Sequence, residues 1–308
     1  MSETAGPDRW NVANTALRAA ADRFTEMVAA APSPTVLVTD DWTLADTVAH
    51  VVSIAVLYVA RLEGTEVTIR VPGLEDMLAV TNVDTVADVN SHVLAHFTER
   101  EPEVLLPQLN TAVARLLVTT ADPRSTVSWL GNARVTAGGL FAHLTNELLV
   151  HGWDIARALR RPWPMPDEHA ALYWDLFMFD MLRDSYGVLL NTELPMPRHH
   201  VSVQFRSAFT PTTTLTLGDR RVWIAPPDAP FDVRVRFQPA RFNLMMFGRI
   251  SIAQAMLRRD VVIGGPRPWR LPAFLRVVHM PNGRLAPAGT ESADRRRSDR
   301  PNGSAGDR

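Results

Sequence analysis

Two histidines and one glutamate have a spacing that could hold a metal ion. Glu147 and His151 are four residues apart, so on a helix their side chains share one face, and His143 lies one turn earlier on that face. A carboxylate among apolar neighbours is costly to bury unless it is paired or bound to a metal. His50, in another apolar segment, is the natural third ligand. Two histidines and one carboxylate suit Zn²⁺ with one open position, and they suit other divalent metals equally.

The same three side chains could instead form a hydrogen-bonded trio in the core without a metal, and spacing alone does not separate these interpretations. His143 either contacts the ligands, lines a pocket or packs in the core. Arg249 either closes on a substrate carboxylate, since arginine forks onto carboxylates, or has a structural role between two elements. Asp154 either orients a ligand or pairs with Arg157, and the structural role is favoured. Trp42 is predicted to be a core residue.

The elements that must position these side chains are helices, because apolar residues recur at helical spacing over most of the first 190 residues. Asp41 or Thr43 is the predicted cap of the helix that carries His50. The segment 86–118 is predicted as one helix with breaks at Pro102 and Pro107. Helices of this length with few strand signals predict a bundle. The predicted helices span 8–30, 41–62, 86–118, 136–159 and 167–186.

After a proline-marked linker at 194–198, the pattern changes to short strands. The residues 217–222 give a hairpin signal, and two short helices, a strand and a last helix follow. The sequence therefore predicts an α+β fold with an N-terminal up-down helical bundle at 1–197, a small α+β domain at 198–284 and a disordered tail at 285–308. The predicted strands are 201–205, 212–217, 222–225, 233–237 and 261–263, and the later helices are 239–247, 251–258 and 272–279.

Two residue types are absent, and their absence excludes several chemistries. The chain has no cysteine, and all 32 basic residues are arginine. A disulfide, a thiolate zinc finger and a protein thiol nucleophile are therefore excluded, as are a Schiff-base lysine and a phosphate-loop lysine.

Charge divides the chain in two. Residues 1–197 carry a net charge of −12 and residues 198–308 a net charge of +11. Opposite charge predicts two domains that attract each other across an interface, or an anion site in the basic half. No nucleic-acid motif accompanies the arginines, so we expect no nucleic-acid partner.

No targeting or membrane segment is evident. The N-terminus lacks an apolar core of the signal-peptide type, and the most apolar stretch, 48–60, is shorter than the roughly 18 residues of a membrane span. We therefore expect a cytoplasmic protein with no membrane partner.

Two motifs resemble a known family. Trp42-Thr-x-x-Asp46-x-x-x-His50 and Glu147-x-x-x-His151-Gly-Trp-Asp resemble the mycothiol-dependent maleylpyruvate isomerase family, within the wider DinB-like superfamily of metal-binding bundles. The resemblance spans roughly residues 10–285. It implies that the metal ligands are His50, Glu147 and His151, that the cofactors are a divalent metal, Zn²⁺ by preference, and mycothiol, and that the source is actinobacterial. Many DinB-like proteins use three histidines, so the glutamate indicates the mycothiol branch.

The second half resembles a sterol-carrier-like domain. The stretches 232–236, 239–242, 247–255 and 262–265 carry this resemblance, which implies a helix-covered sheet that can enclose an apolar ligand. Met245, Met246, Met256 and Phe242 either line such a tunnel or pack in an ordinary core.

Together these features predict a metal-dependent isomerase or S-transferase that uses a low-molecular-weight thiol, mycothiol, on an electrophilic small molecule such as an unsaturated acid. A metal-bound thiolate would be the nucleophile, which is consistent with a chain that has no cysteine. One alternative is a non-catalytic binding protein for an apolar or acidic ligand held by the sterol-carrier-like domain. Another is a structural or regulatory relative whose metal site has lost its function. A cleft between the domains that contains the three ligands would favour the enzyme, and bound lipid would favour the binding protein.

Overall fold

The chain forms a helical half followed by a half built on a β-sheet, which confirms the α+β fold class. The computed structural model describes residues 7–191 and 194–280. The predicted tail at 285–308 lies outside the described residues. The helical half contains α1 (Pro7–Ala29), α2 (Leu44–Glu63), α3 (Leu74–Val80), α4 (Val86–His96), α5 (Pro102–Leu117) and α6 (Ala137–Ala158).

Four long helices build the bundle core. Helix α1 packs against α5 and α6, and α2 packs against the same two helices from the other side. The faces that meet are apolar and buried, as helical periodicity predicts. A small two-stranded sheet that the sequence analysis did not predict, β1 (Thr126–Ser128) with β2 (Arg134–Thr136), precedes α6.

Helix α2 begins with a capping box. The Thr43 hydroxyl accepts from the Asp46 amide, and the Asp46 carboxylate accepts from the Thr43 amide. Thr43 is therefore the cap, rather than Asp41. The helix is longer than the apolar stretch predicted at 48–60: its 20 residues reach the length and hydropathy of a membrane-crossing helix, but 67% of its most apolar window is buried inside the protein. Its apolar character is that of a bundle core helix.

The predicted helix 86–118 is two helices, α4 and α5, separated at residues 97–101. Pro102 occupies the first turn of α5, where its missing N–H costs nothing. The prediction of a break at Pro107 is wrong. Pro107 lies on the exposed face of α5, so water can hydrate the carbonyl that the missing N–H leaves unpaired. Helix α3 was not predicted at all.

Helix α7 spans residues 167–184 and changes its winding in the middle. Its first and last parts, Asp167–Leu172 and Asp180–Asp184, are α-helical, and the segment Tyr173–Phe179 is π-helical. All seven residues of the π-helical segment are buried. A π-helical turn is wider than an α-helical turn, so it changes which side chains lie on the same face of the helix. Segments of this kind are often found at functional sites.

The second half contains a five-stranded sheet in the order β5-β4-β3-β6-β7, with β3 and β6 parallel and the other neighbours antiparallel. The predicted hairpin between β4 and β5 is confirmed. Asp219 and Arg220 both have positive φ, 48° and 59°, as a two-residue hairpin turn requires. The strands are β3 (Val201–Arg206), β4 (Thr213–Gly218), β5 (Arg221–Ile224), β6 (Val233–Phe237) and β7 (Val261–Gly264).

Three short helices accompany the sheet, close to their predicted positions: α8 (Pro239–Met246), α9 (Ile252–Leu257) and α10 (Leu271–Val277). Phe242 is buried in an aromatic cluster with Phe205 and Phe237, whereas Met256 is 45% exposed. Neither lines the cavity described below, so plain packing accounts for Phe242. The sterol-carrier-like character of this half stays a prediction.

A buried polar network joins the two halves. The Asn243 Oδ1 atom accepts from Trp174 Nε1 at 2.5 Å, and Asn243 Nδ2 donates to Asn146 Oδ1 at 2.8 Å and to the Ala170 carbonyl at 3.1 Å. Ion pairs also cross between the acidic and basic halves, as the charge division predicts. The boundary predicted between residues 197 and 198 remains a prediction.

Candidate metal centre

The three predicted ligands meet where α2 and α6 pack together. His50 comes from α2, and Glu147 and His151 come from adjacent turns of α6. Glu147 Oε2 lies 3.4 Å from His50 Nε2 and 3.2 Å from His151 Nε2. One ligand atom from each residue lies within 4.8 Å of the other two. The sequence-predicted trio is therefore assembled in space.

These distances test whether a metal ion fits. Ligand atoms around a tetrahedral Zn²⁺ with bonds of about 2.0–2.1 Å lie about 3.3 Å from one another. The two separations from Glu147 to His50 and His151 match that edge length. The donor set of two imidazoles and one carboxylate suits zinc and other divalent ions. Two of the three separations and the donor chemistry therefore fit a divalent cation, with the two histidine nitrogens within 4.8 Å of each other. The choice of cation stays a prediction.

A buried ion pair of Asp154 and Arg249 lies next to the Nδ1 atom of His151. Asp154 Oδ2 lies 3.3 Å from His151 Nδ1, without the alignment of a hydrogen bond. Arg249 donates to the same carboxylate through Nε at 3.0 Å and Nη2 at 2.7 Å. Carboxylates commonly orient metal-binding histidines in this way. Asp154 thus orients a candidate ligand, and the fork of Arg249 is already engaged by a carboxylate of the protein.

Burial and the neighbouring charges determine the protonation of the trio. Burial alone would raise the pKa of Glu147, but hydrogen bonds from His151 and His50 hold that pKa well below its usual range. Burial alone would lower the pKa of His151, but Asp154 and Glu147 raise it to about 9. The pKa of His50 is lowered, chiefly by burial. Glu147 is thus ionised and His50 neutral, the forms that bind metals, whereas His151 must release a proton to bind one.

His143 lies beside the trio and bonds to residues that the sequence analysis did not single out. Its Nε2 atom is 3.5 Å from Glu147 Oε1, and its Nδ1 atom is 2.9 Å from the Tyr58 hydroxyl. Trp129 Nε1 donates to that hydroxyl at 3.0 Å. Burial lowers the pKa of His143. Of the roles left open for His143, the structure shows two: it contacts a candidate ligand, Glu147, and it lines the cavity.

Trp42, predicted as a core residue, packs half-buried against the core and also takes part in the site. Its ring centroid lies 4.8 Å from that of His50 and 5.9 Å from that of His151, and it lines the cavity. Trp42 directly precedes the Thr43 cap, so the start of α2 places its ring over the candidate metal site. Its position two residues before the helix was a signal that sequence reasoning could have used.

A cavity of about 950 Å³ opens beside the trio. Its walls are largely apolar, and all three candidate ligands belong to them. The second half of the chain contributes Phe247, Arg249, His279 and Met280 to the same cavity. A cavity shared by both halves, with the ligands in its wall, is the arrangement that favours an enzyme over a separate ligand carrier.

Asn146 is a further polar wall residue that sequence reasoning missed. Its side chain is 1% exposed, and its Oδ1 atom accepts from Asn243. Its Nδ2 atom has no acceptor among the described residues. A buried amide nitrogen without a partner is costly, and a bound molecule can supply the missing acceptor. Only its place directly before Glu147 was visible in the sequence.

A match to a family model agrees with the two motifs. Residues 11–156 match a family model described as the mycothiol maleylpyruvate isomerase N-terminal domain. Two solved structures are similar over 83% of this chain and 92% of theirs: a histidine-to-alanine mutant of the mycothiol-dependent maleylpyruvate isomerase, at 14% identity and a TM-score of 0.47, and the mycothiol-dependent maleylpyruvate isomerase itself, at 13% and 0.44. No curated protein matches the chain.

Proposed function

We propose that this protein is a metal-dependent isomerase that uses mycothiol and acts on a small unsaturated acid, because residues 11–156 match the model of the mycothiol maleylpyruvate isomerase N-terminal domain. The observation that carries the proposal is the convergence of His50, Glu147 and His151 in the wall of a cavity large enough for a cofactor and a substrate. An S-transferase would use the same site and would differ in releasing a thioether.

His50, Glu147 and His151 would hold the metal. A divalent cation bound by them would lower the pKa of a thiol at its open position, so that the thiol binds as thiolate near neutral pH. To bind the cation, His151 would release its Nε2 proton, while Asp154 and Arg249 lie against the other side of its ring.

The cavity walls define the kind of substrate. In the proposed reaction, the thiolate adds to one carbon of a conjugated double bond of the substrate, which leaves a single bond that can rotate. The double bond forms again when the thiolate leaves. The apolar walls exclude water from this step. Asn146 Nδ2, which lacks an acceptor in the protein, provides a donor for a carbonyl or carboxylate oxygen of the acid.

The first test is metal content, measured by elemental analysis of protein purified without chelator. We expect about one divalent ion per chain in the native protein, and loss of that ion in Glu147→Gln and His151→Ala. His96→Ala is the matched control, because His96 is an exposed histidine on α4. Native protein that binds no metal even after reconstitution would overturn the proposal.

The second test is activity with defined thiols. The metal-loaded protein is assayed for cis–trans conversion of an unsaturated dicarboxylic acid with mycothiol, with glutathione and without thiol. Conversion only with mycothiol supports the isomerase, and a thioether product supports the S-transferase. Copurified lipid found by native mass spectrometry, together with no conversion and no thioether, would support the binding-protein alternative.

A further inference from the structure

A chain of three side chains runs from the surface of the bundle to the candidate metal ligands. Trp129 precedes α6 in sequence, Tyr58 belongs to α2, and His143 lies on α6 one turn before Glu147. Trp129 Nε1 is 3.0 Å from the Tyr58 hydroxyl, which is 2.9 Å from His143 Nδ1. Tyr58 is 1% exposed and His143 9% exposed, so little water can compete for these bonds.

The chemistry of the donors fixes the direction of this chain. An indole nitrogen can only donate, so the Tyr58 hydroxyl accepts from Trp129. If His143 Nδ1 donated to this hydroxyl, the buried Tyr58 proton would have no acceptor among the described residues, and an unprotonated Nε2 would face the Glu147 carboxylate. The Tyr58 proton is therefore directed to His143 Nδ1, which accepts it. A neutral imidazole without a proton on Nδ1 carries its proton on Nε2. The Nε2–H group of His143 therefore faces Glu147 Oε1, 3.5 Å away.

The ring of His143 is also held sterically. Its centroid lies 4.7 Å from that of Phe177 and 5.1 Å from that of Trp129, and both contacts are edge-on. Phe177 belongs to the π-helical segment of α7. The ring is thus packed between aromatic side chains, and a flip that exchanged its two nitrogens would have to displace them.

The other carboxylate oxygen of Glu147 is the one near the histidine ligands. Oε2 lies 3.4 Å from His50 Nε2 and 3.2 Å from His151 Nε2, whereas Oε1 faces His143. The His143 Nε2–H group, 3.5 Å from Oε1, attracts this oxygen electrostatically and leaves Oε2 for the cation.

We propose that Trp129, Tyr58 and His143 form a positioning relay: the Tyr58 hydroxyl fixes His143 as the Nε2–H tautomer, and this tautomer orients Glu147 for metal binding. None of the three residues binds the metal, and the relay acts through Glu147. The inference rests on the proposed metal site, but its tautomer is defined in the protein itself and can be measured without a metal.

Two variants test the relay with a matched control. Tyr58→Phe removes the hydroxyl that holds His143 Nδ1. Tyr173→Phe is the control, because Tyr173 is also a buried tyrosine in the cavity wall, but its hydroxyl lies 3.5 Å from the Met280 sulfur and takes no part in the relay. Thermal unfolding of each metal-free variant establishes that it folds.

The first readout is the tautomer of His143 from nitrogen-15 NMR of the imidazole, in metal-free protein and again after loading with Zn²⁺. We expect a proton on Nε2 and none on Nδ1 in the native protein and in Tyr173→Phe, and a signal shifted toward the Nδ1–H form in Tyr58→Phe. A native His143 with its proton on Nδ1 would overturn the relay whether or not the protein binds metal.

The second readout is Zn²⁺ affinity, measured by competition with a chromophoric chelator. Outer contacts of metal ligands are typically worth about 10–100-fold in affinity, and we expect a loss in this range for Tyr58→Phe and less than about 2-fold for Tyr173→Phe. His143→Gln, whose amide nitrogen can replace the Nε2–H donor, should retain more affinity than His143→Leu. Equal Zn²⁺ affinities in all folded variants would refute the positioning role. Failure of the native protein to bind Zn²⁺ would refute the proposed function, and the tautomer of His143 would then be the test of the relay.

Discussion

Asp154 and Arg249 form an ion pair that is almost completely withdrawn from water. Their side chains are 0% and 6% exposed, and the arginine bonds to both carboxylate oxygens. Removal of one partner from such a pair leaves an uncompensated charge in the interior, which typically costs about 3–5 kcal/mol of unfolding free energy. The pair therefore has consequences for stability as well as for His151.

The first prediction concerns this pair. Asp154→Asn and Arg249→Gln should each lower the free energy of unfolding by about 3–5 kcal/mol, because each leaves the other group without its counter-charge. The double variant should lose less than the sum of the two. Urea denaturation of the four proteins gives the coupling energy. Strictly additive losses would show that the pair is not coupled.

Residue by residue, the sequence indicated the three candidate ligands that the structure brings together, but not the ion pair beside them. His50, Glu147 and His151 could be predicted because buried polar residues at helical spacing are conspicuous. The Asp154–Arg249 pair could not, since its members are 95 residues apart and meet only through the packing of the two halves. Tyr58 and Trp129 are single aromatic residues in apolar segments, where core packing is the ordinary interpretation.

At the scale of elements, the start of α2 is stabilised by a capping box that is tied to a second segment. Asp46 accepts from the Thr43 amide, and Arg100 donates to Asp46 Oδ1 at 2.6 Å. Burial would raise the pKa of Asp46, but hydrogen bonds from Thr43 and Arg100 bring it below its usual value. The ionised carboxylate is thus the form that stabilises the fold.

The second prediction follows from this pKa. Asp46→Ala should cost about 1–2 kcal/mol of unfolding free energy at neutral pH, as expected for loss of a cap and a charged hydrogen bond. A lowered folded-state pKa gives stability that is complete above the unfolded-state value of about 4 and is lost as the pH falls through the folded-state value. The difference from the native protein should therefore shrink below about pH 4. Asp88→Ala, an exposed first-turn acid of α4, is the control, and an undiminished difference at low pH would contradict the assignment.

The third prediction concerns a glycine of α6. A methyl group on Gly152 would overlap the Trp163 ring. That ring is held in place because its Nε1 atom donates to the backbone carbonyl oxygen of Leu149 at 2.9 Å. Gly152→Ala should therefore cost about 1–3 kcal/mol through overpacking and weaken metal binding at the adjacent His151. Denaturation and chelator competition measure the two effects.

Gly138 provides the matched control for this substitution. A methyl group there would lie 3.5 Å from the nearest atom, the Pro123 carbonyl oxygen, which is an ordinary contact. Gly138→Ala should be neutral or stabilising by up to about 1 kcal/mol, because alanine favours helix. Equal destabilisation by both alanines would indicate a general intolerance of α6 rather than a clash with Trp163.

The predicted elements largely match those observed, and the exceptions have identifiable causes. The long amphipathic helices have a strong local signal, the helical period of their apolar residues. The hairpin of β4 and β5 has another, its two turn residues. The π-helical segment Tyr173–Phe179 has no such signal, since its winding is selected by packing against α6. Helix α3 is short and largely exposed, so its sequence has little apolar periodicity to detect.

At the scale of the whole molecule, the two halves share one interior. Trp174 of α7 stacks at 6.4 Å on Phe205 of β3 and lies 4.8 Å from Phe242 of α8. The same tryptophan donates to Asn243, which in turn bonds to Asn146 of the bundle. An apolar cluster and a polar network thus cross between the halves at one place.

The fourth prediction follows from this continuity. The protein should unfold in a single calorimetric transition, because neither half can expose this shared surface at low cost. Asn243→Leu should lower the free energy of unfolding by several kcal/mol, at about 1–3 kcal/mol for each buried group left unpaired. Asn110→Leu, at an exposed asparagine of α5, is the control. Two separate transitions in the native protein would contradict the shared interior.

The fold class and the division of charge were whole-molecule properties that the sequence could predict. The acidic half and the basic half do meet through ion pairs, including Arg249 with Asp154 and His279 with Asp84 at 2.9 Å. The cavity could not be predicted, since its walls come from α2, α6, α7 and residues near 280 that only the folded chain brings together.

The ring of Trp42 over His50 gives the protein an optical property. An indole whose centroid is 4.8 Å from a ligand ring lies within quenching range of a paramagnetic ion held by that ligand. Titration with Co²⁺ should therefore dim the intrinsic fluorescence of the native chain, and the dimming should be smaller in Trp42→Phe, where Trp129 beside His143 is the other nearby indole. The fluorescence of Trp42 would thus measure binding of a paramagnetic ion at the candidate metal site directly, without any added dye.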